Sequence, residues 1–256
     1  MRKLVASAVT AIAALTIVPA VHAADMIEYP DIEIPDVDYD MGGSFYLRGS
    51  AALNLHWAKE VEHAPGWGGV LIHPIDENGF GYSWGAGFGY ETGDGLRFDA
   101  TIDALETRGV SITKNFANGI DVDGKYTLML RSTVALANVY YDFGLGGGGG
   151  GFGYSGGGGA FGYVGVGAGV AWNTAAVNGP GGFPHPQGGN VSGAAAVMAG
   201  VGYDMGKWVA DVGYRGLYIN QINNSPTDPV LDPGLYYHID NNFIHEVRGT
   251  IRYRFD

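Results

Sequence analysis

The sequence predicts an all-β fold: an eight-stranded antiparallel transmembrane β-barrel with short periplasmic turns and long extracellular loops. Three observations carry this. Alternation of apolar and polar residues with period two recurs about eight times beyond residue 43. The alternating runs are about 11 to 14 residues long, whereas a tilted membrane strand needs roughly 9 to 11 and a soluble sandwich strand usually has about 5 to 6. The apolar faces begin and end in Phe, Tyr or Trp, as girdles at two membrane interfaces require.

The segment before the barrel is read first. Arg2 and Lys3 precede an apolar run over residues 4–21 and then Val21-His22-Ala23, the pattern of a secretory signal peptide over residues 1–23. Residues 24–43 form an acidic periplasmic tether carrying Glu28, Asp31, Glu33, Asp36, Asp38 and Asp40, interrupted by Pro30 and Pro35. The barrel takes residues 44–256. The whole chain has a formal net charge of −12, and losing Arg2 and Lys3 makes the mature chain more acidic still, which argues against nucleic acid as a partner. Cysteine is absent, so stability must come from packing or from a closed hydrogen-bonded sheet rather than from disulfides. The 45 glycines have no Gly-X-Y period, and 12% aromatic residues are too many for simple disorder.

The first strand, over 44–57, puts Phe45, Leu47, Leu53, Leu55 and Trp57 on one face and Arg48, Ser50, Asn54 and His56 on the other. The second, over 80–92, sends Phe80, Tyr82, Trp84, Phe88 and Tyr90 outward, with glycines and Ser83 opposite. A tight Thr92-Gly93-Asp94-Gly95 turn leads to the third, where Leu96, Phe98 and Ile102 alternate with Arg97, Asp99 and Asp103. The fourth, over 126–143, changes phase: Val139, Tyr141 and Phe143 occupy one register, and Leu128, Leu130, Val134 and Leu136 the other. A bulge near Ala135 to Ala137 would reconcile the two halves. The glycine-rich connection over 144–159 leads to the fifth strand, with Val164, Val166, Val170 and Trp172 outward. The sixth carries Val197, Val201 and Tyr203 and turns at Met205-Gly206-Lys207. Trp208, Val212, Tyr214 and Tyr218 mark the seventh, and Phe243, His245, Val247, Ile251, Tyr253 and Phe255 the eighth.

Connections after the first, third, fifth and seventh strands read as roughly 15 to 25 residues, and those after the second and sixth as tight turns, in the sense expected of an outer-membrane barrel. In lipid every backbone N–H and C=O needs an internal partner, so the eighth strand must pair with the first. An eight-stranded interior is wide enough only for side chains. Arg48, Arg97, Asp99, Asp103, Asp211, Arg215, Glu246, Arg248, Arg252 and Arg254 are therefore expected to converge inside as a plug of salt bridges.

Tyr46-Leu47-Arg48-Gly49, Asn138-Val139-Tyr140-Tyr141-Asp142, Val164-Gly165-Val166-Gly167-Ala168-Gly169-Val170, Asp211-Val212-Gly213-Tyr214-Arg215 and His245-Glu246-Val247-Arg248, followed by Arg252-Tyr253, resemble the opacity-protein-like small outer-membrane β-barrels of alphaproteobacteria. The resemblance covers residues 44–255 and implies a surface-exposed barrel with roles in envelope integrity or host contact and no shared catalytic site. It also implies location in the outer membrane of a Gram-negative bacterium, with membrane lipids, lipopolysaccharide and the barrel-assembly machinery as partners. Such barrels usually end on an aromatic residue, whereas Asp256 follows Phe255 here. The mature start, Ala24-Asp25-Met26-Ile27, resembles barrels linked covalently to peptidoglycan through their first Ala; the tether could reach about 60 to 70 Å at about 3.3 Å per residue. An ordinary tail satisfies the same residues.

Other chemistries are weaker. The glycines over 146–169 lead into an alternating strand rather than a helix, which speaks against a nucleotide loop. His56, His63 and His73 near one loop, with His185 and His238 in others, suit metal or haem capture, although loop histidines are more often solvated. His245 and Glu246 point to opposite faces of a strand, so no enzyme is expected, and no cofactor. Inward glycines on the second and fifth strands reduce filling and keep open a small porin-like channel. Trp67, Phe116, Phe183, Pro184, Pro186, Tyr236 and Tyr237 are the loop residues expected to be exposed for a binding or adhesion role toward a host factor.

Overall fold

The computed structural model describes residues 43–64, 70–115, 123–145, 159–180, 187–224 and 236–255, within one compact unit, Met41–Asp256. The signal peptide, the tether with Ala24, most of the glycine tract, and Trp67, Phe116, Phe183, Pro184, His185, Pro186 and Asp256 lie outside the described residues.

The described residues form ten strands: β1 (Ser44–Trp57), β2 (Glu60–Ala64), β3 (Leu71–Pro74), β4 (Gly79–Glu91), β5 (Leu96–Lys114), β6 (Gly124–Gly144), β7 (Gly159–Asn178), β8 (Gly188–Asp204), β9 (Trp208–Asn223) and β10 (Tyr236–Phe255). Eight of them form an antiparallel ring in the order β1-β4-β5-β6-β7-β8-β9-β10, and β10 closes on β1 from Phe45↔Phe255 to Trp57↔Phe243. Closure removes the sheet edges that hydrocarbon would not tolerate. Gly93, Gly95 and Gly206 have positive φ values of 85°, 104° and 89° and make the tight turns at one end.

The outer wall of the ring is apolar. Leu53 is 74% exposed and Val247 65%, an exposure to water that a soluble protein would avoid over so continuous a band. Phe45, Phe98, Trp208, Tyr203 and Phe255 border the band at the turn end, and Trp57, Phe80, Trp84, Trp172 and Phe243 border it at the other. These are the two aromatic girdles of a membrane barrel.

The strands outrun the membrane. β6 has 21 residues, which at about 3.3 Å per residue and a tilt of about 40° rise about 50 Å, twice the apolar band of about 25 Å. The loops are accordingly shorter than expected, spanning residues 115–123, 179–187 and 224–235. Above the band the environment reverses, with water outside, and the apolar residues move inside. In β6 the alternation is unbroken through residues 135–137. Asn138, Tyr140 and Asp142 point inward below, and Tyr126, Leu128, Leu130, Val134 and Leu136 point inward above. The bulge expected there does not exist. The phase change in the sequence marks the exit of β6 from lipid.

Bulges occur instead in the two strands beside the first hairpin. The β5–β6 register shifts between Thr107 and Val110 around Gly109, whose φ is 88°. In β10, Asp240 and Asn241 are both exposed, Asn241 has φ 54°, and the inward side changes from Tyr237 and Ile239 to Asn242 and Ile244. Just above these points β1 and β4 have ended, and β2 and β3 take their place. β2 pairs with β10 (Tyr237↔His63) and with β3 (Val61↔His73), while Glu77 bridges to Ser111 of β5. A second, nearly closed storey thus stands on the first. It encloses an apolar core of Val61, Val110, Ile112, Tyr126, Leu128, Val177, Leu217, Ile219, Ile222 and Ile239.

The Glu77 seam makes a pH prediction. The Glu77 carboxylate meets Lys125 Nζ at 2.7 Å, and that hydrogen bond, then the charge behind it, holds Glu77 below its ordinary pKa. A depressed folded pKa gives a contribution that is present above the unfolded value and is lost as pH falls through the folded one. The protection factor of the Ser111 amide, which donates to Glu77 O at 3.1 Å, is expected to hold at neutral pH and to fall, relative to the intrinsic exchange rate at each pH, once the pH drops below the ordinary carboxylate range. A protection factor that stays constant through the carboxylate range and falls only on raising the pH through neutrality would contradict the assignment.

Candidate functional site

The lower interior is a ladder of charge built from the inward register of all eight ring strands. At the turn end Arg254 meets Glu91, and its Nη1 is 2.5 Å from Asp204. Arg252 lies above, 3.1 Å from Glu91 and 3.8 Å from Asp211. Arg97 grips Asp142 with two bonds, Nε at 2.9 Å and Nη2 at 3.0 Å, the paired geometry that guanidinium and carboxylate favour. Its guanidinium also stacks 4.0 Å from the Tyr140 ring centroid.

Arg48 donates to Asp99 at 2.8 Å and to Tyr140 Oη at 2.9 Å, while Asp99 also accepts from Tyr46 Oη at 2.9 Å and Asn138 Nδ2 at 2.7 Å. The top of the ladder is a four-membered ring of charges. Asp103 accepts from Arg215 at 2.6 Å and Arg248 at 2.8 Å, and Glu246 accepts from the same two arginines at 2.5 Å and 3.1 Å. Ser83 Oγ adds a bond to Glu246 at 2.8 Å. Each carboxylate here is desolvated, and only the opposing guanidiniums and extra donors compensate for that.

All ten sequence-selected charges lie in this ladder. Glu91, Asp142 and Asp204 belong to the network as well, and so do Tyr46 and Tyr163, none of which the sequence singled out as partners. The tyrosines could have been found from their register: Tyr163 Oη donates to Asp211 at 3.1 Å.

Inward glycines are matched by tyrosines on the neighbouring strands. A Cβ at Gly165 would lie 2.4 Å from Tyr140 Cδ1, and one at Gly89 would lie 2.5 Å from Tyr46 Cζ. At these two positions the glycine leaves the space that a tyrosine from a neighbouring strand fills. Between Arg48, Arg97, Arg215, Arg248 and Asp211 there remains a cavity of about 10 Å³, room for about one water molecule. Above the ladder the salt-bridge plug gives way to the apolar core, so charge fills only part of the interior.

The histidines and Tyr237 also depart from expectation. His56 and His63 are buried rather than solvated, with His56 Nε2 2.9 Å from Asn242 Oδ1. Among the described residues no group of three or more His, Cys, Asp or Glu is placed to hold a metal. Tyr237 is buried, its hydroxyl accepting from Lys114 Nζ at 2.7 Å, because β10 continues upward through it. His245 and Glu246 do face opposite ways: His245 is outside, 2.6 Å from Tyr214 Oη, and Glu246 is inside.

No family model matches the chain, and no curated protein matches it. Among solved structures it is similar to Neisserial surface protein A, with 20% identity, covering 84% of this chain and 99% of that one, at a TM-score of 0.48. It is also similar to the outer-membrane protein OprG from Pseudomonas aeruginosa, with 15% identity over 82% and 96% at 0.46. Ail, the attachment invasion locus protein of Yersinia pestis, has 14% identity over 84% and 99% at 0.37. With scores below 0.5, it is the closed ring, the apolar outer band and the charged interior of this chain that decide its class. The chain is an eight-stranded antiparallel transmembrane β-barrel of the outer-membrane type.

Proposed function

We propose that this barrel is a structural and surface-presenting component of the outer membrane that supports envelope integrity and does not conduct solutes. The filled interior carries the reading: inward glycines are occupied by Tyr46 and Tyr140, arginines and carboxylates are cross-paired, and the cavity among the ladder's arginines suits about one water molecule. The upper storey supports the surface-presenting part, because its apolar core makes it a rigid mount for the connections at residues 115–123, 179–187 and 224–235. Planar-bilayer recording of the purified barrel tests the claim. No stable conductance is expected, and large stable steps would favour the porin-like alternative.

A link to peptidoglycan through Ala24 fits the same role. The tight turns and the start of β1 share one end, which in barrels of this type is periplasmic, so β1 begins at the end of the barrel that faces the cell wall. Muramidase digestion followed by mass spectrometry is expected to recover a cell-wall peptide on Ala24. A free amine throughout intact sacculi would leave the barrel anchored by lipid alone.

A further inference from the structure

At the upper border of the apolar band the outer wall carries a groove of about 340 Å³ between Trp84 of β4 and Trp172 of β7. The register explains it. Trp84, Ala104, Thr133 and Trp172 stand in one row across four strands, so two small side chains separate two large ones. The next row up reads Tyr82, Glu106, Arg131 and Thr174. Glu106 accepts from Arg108 Nε at 2.6 Å and from Arg131 Nε at 3.2 Å, and the two arginine side chains remain 62% and 54% exposed. Two guanidiniums against one carboxylate leave a net positive charge in a chain whose total is −12. With Arg48, Arg97, Arg215, Arg248, Arg252 and Arg254 inside the barrel, this outward pair stands apart from the ladder.

We infer that this groove binds one phosphorylated glycolipid of the outer leaflet, with its phosphate on Arg131 and Arg108 and an acyl chain between Trp84 and Trp172. Depth supports it, since aromatic girdles sit at headgroup level, and Arg131 stands one row above Trp84 and Trp172 while Arg108 lies opposite the girdle residue Phe80. Guanidinium is the side chain that matches phosphate with paired, charge-assisted bonds. The polar groups of the two rows select among lipids: the Glu106 carboxylate and the Thr133 and Thr174 hydroxyls suit the hydroxyls of a phosphorylated sugar, whereas a glycerophospholipid presents few such groups to them. The inference requires only that the outer wall meets lipid, so a conducting barrel would overturn the closed-lumen proposal and leave this one standing.

The test is native mass spectrometry of the detergent-solubilised full barrel titrated with bisphosphorylated lipid A, dephosphorylated lipid A or phosphatidylglycerol. Heat-modifiable gel migration confirms folding of each variant. One bisphosphorylated lipid A per barrel is expected, with both other lipids binding more weakly. The Arg108→Gln/Arg131→Gln double variant should lose affinity by about tenfold or more, the effect of one or two charge-assisted bonds, and Lys125→Gln on the upper storey should be unchanged. Undiminished binding by the folded double variant, or an equal loss in Lys125→Gln, would overturn the site. Equal binding of phosphatidylglycerol would overturn the glycolipid as its occupant.

Discussion

Replacing Asp103 by alanine is expected to destabilise the barrel by about 3 to 5 kcal/mol, the cost of leaving a buried ion group without its partner. Asp103 is 1% exposed and takes bonds from both Arg215 and Arg248, so its loss leaves two guanidiniums to share Glu246. Their repulsion is then no longer offset. Asp103→Asn keeps the shape and one acceptor and should fall in between. The exposed pair Lys59–Glu60, 3.4 Å apart, is the contrast, where disruption should change stability by about 0 to 1 kcal/mol. Urea unfolding in micelles, followed by heat-modifiable migration, measures all three. An Asp103→Ala barrel as stable as wild type would mean that the ladder is not a determinant of the fold.

The second large effect is steric. Gly165→Ala adds a methyl group where Tyr140 Cδ1 would lie 2.4 Å away and its Cε1 2.9 Å away, so the ring must move. The ring is held by the Arg48 bond to its hydroxyl and by Arg97 against its face, and that restraint turns a small substitution into overpacking that costs about 1 to 3 kcal/mol. Tyr140→Ala alone should also destabilise, by opening a cavity and removing the acceptor for Arg48. The combination should cost less than the sum of the two, since each substitution relieves the defect of the other. Additive losses would show that glycine at this position answers to backbone demands and not to the tyrosine.

These residues also show how far the sequence could be read. β4 was legible because its outward Phe80, Tyr82, Trp84, Phe88 and Tyr90 stand against glycines and Ser83 for its whole length, so one period describes it. The inward charges were legible because a charge at every second position of a membrane strand can only point inside. The fourth predicted strand was misread because lipid was assumed along its entire length. Leu128, Leu130, Val134 and Leu136 are apolar since water lies outside them, and the same unbroken alternation serves two solvents. Tyr237 went the same way: it lies beyond the membrane and so passed for a loop residue, yet it is enclosed by the upper core. β2 and β3, with 5 and 4 residues, have no periodicity long enough to register, and β10, the strand on which β2 pairs, is far away in sequence. The outer groove escaped because it depends on four strands in register rather than on any motif.

The central claim is that the membrane ends partway up the strands and that a water-bathed storey continues above it. Site-directed spin labelling tests this most directly, and the absence of native cysteine makes every introduced label unique. Single cysteines at the outward positions Tyr141, Val139, Ala137, Ala135, Thr133, Arg131, Met129 and Thr127 of β6 would be labelled in bilayers and probed with oxygen and with a water-soluble paramagnetic reagent. The two-storey barrel predicts lipid-like oxygen accessibility from Val139 through Ala135, a crossover at Thr133 to Arg131, and aqueous accessibility at Met129 and Thr127. Lipid-like accessibility continuing through Met129 and Thr127, or aqueous accessibility at Val139 and Ala137, would contradict it.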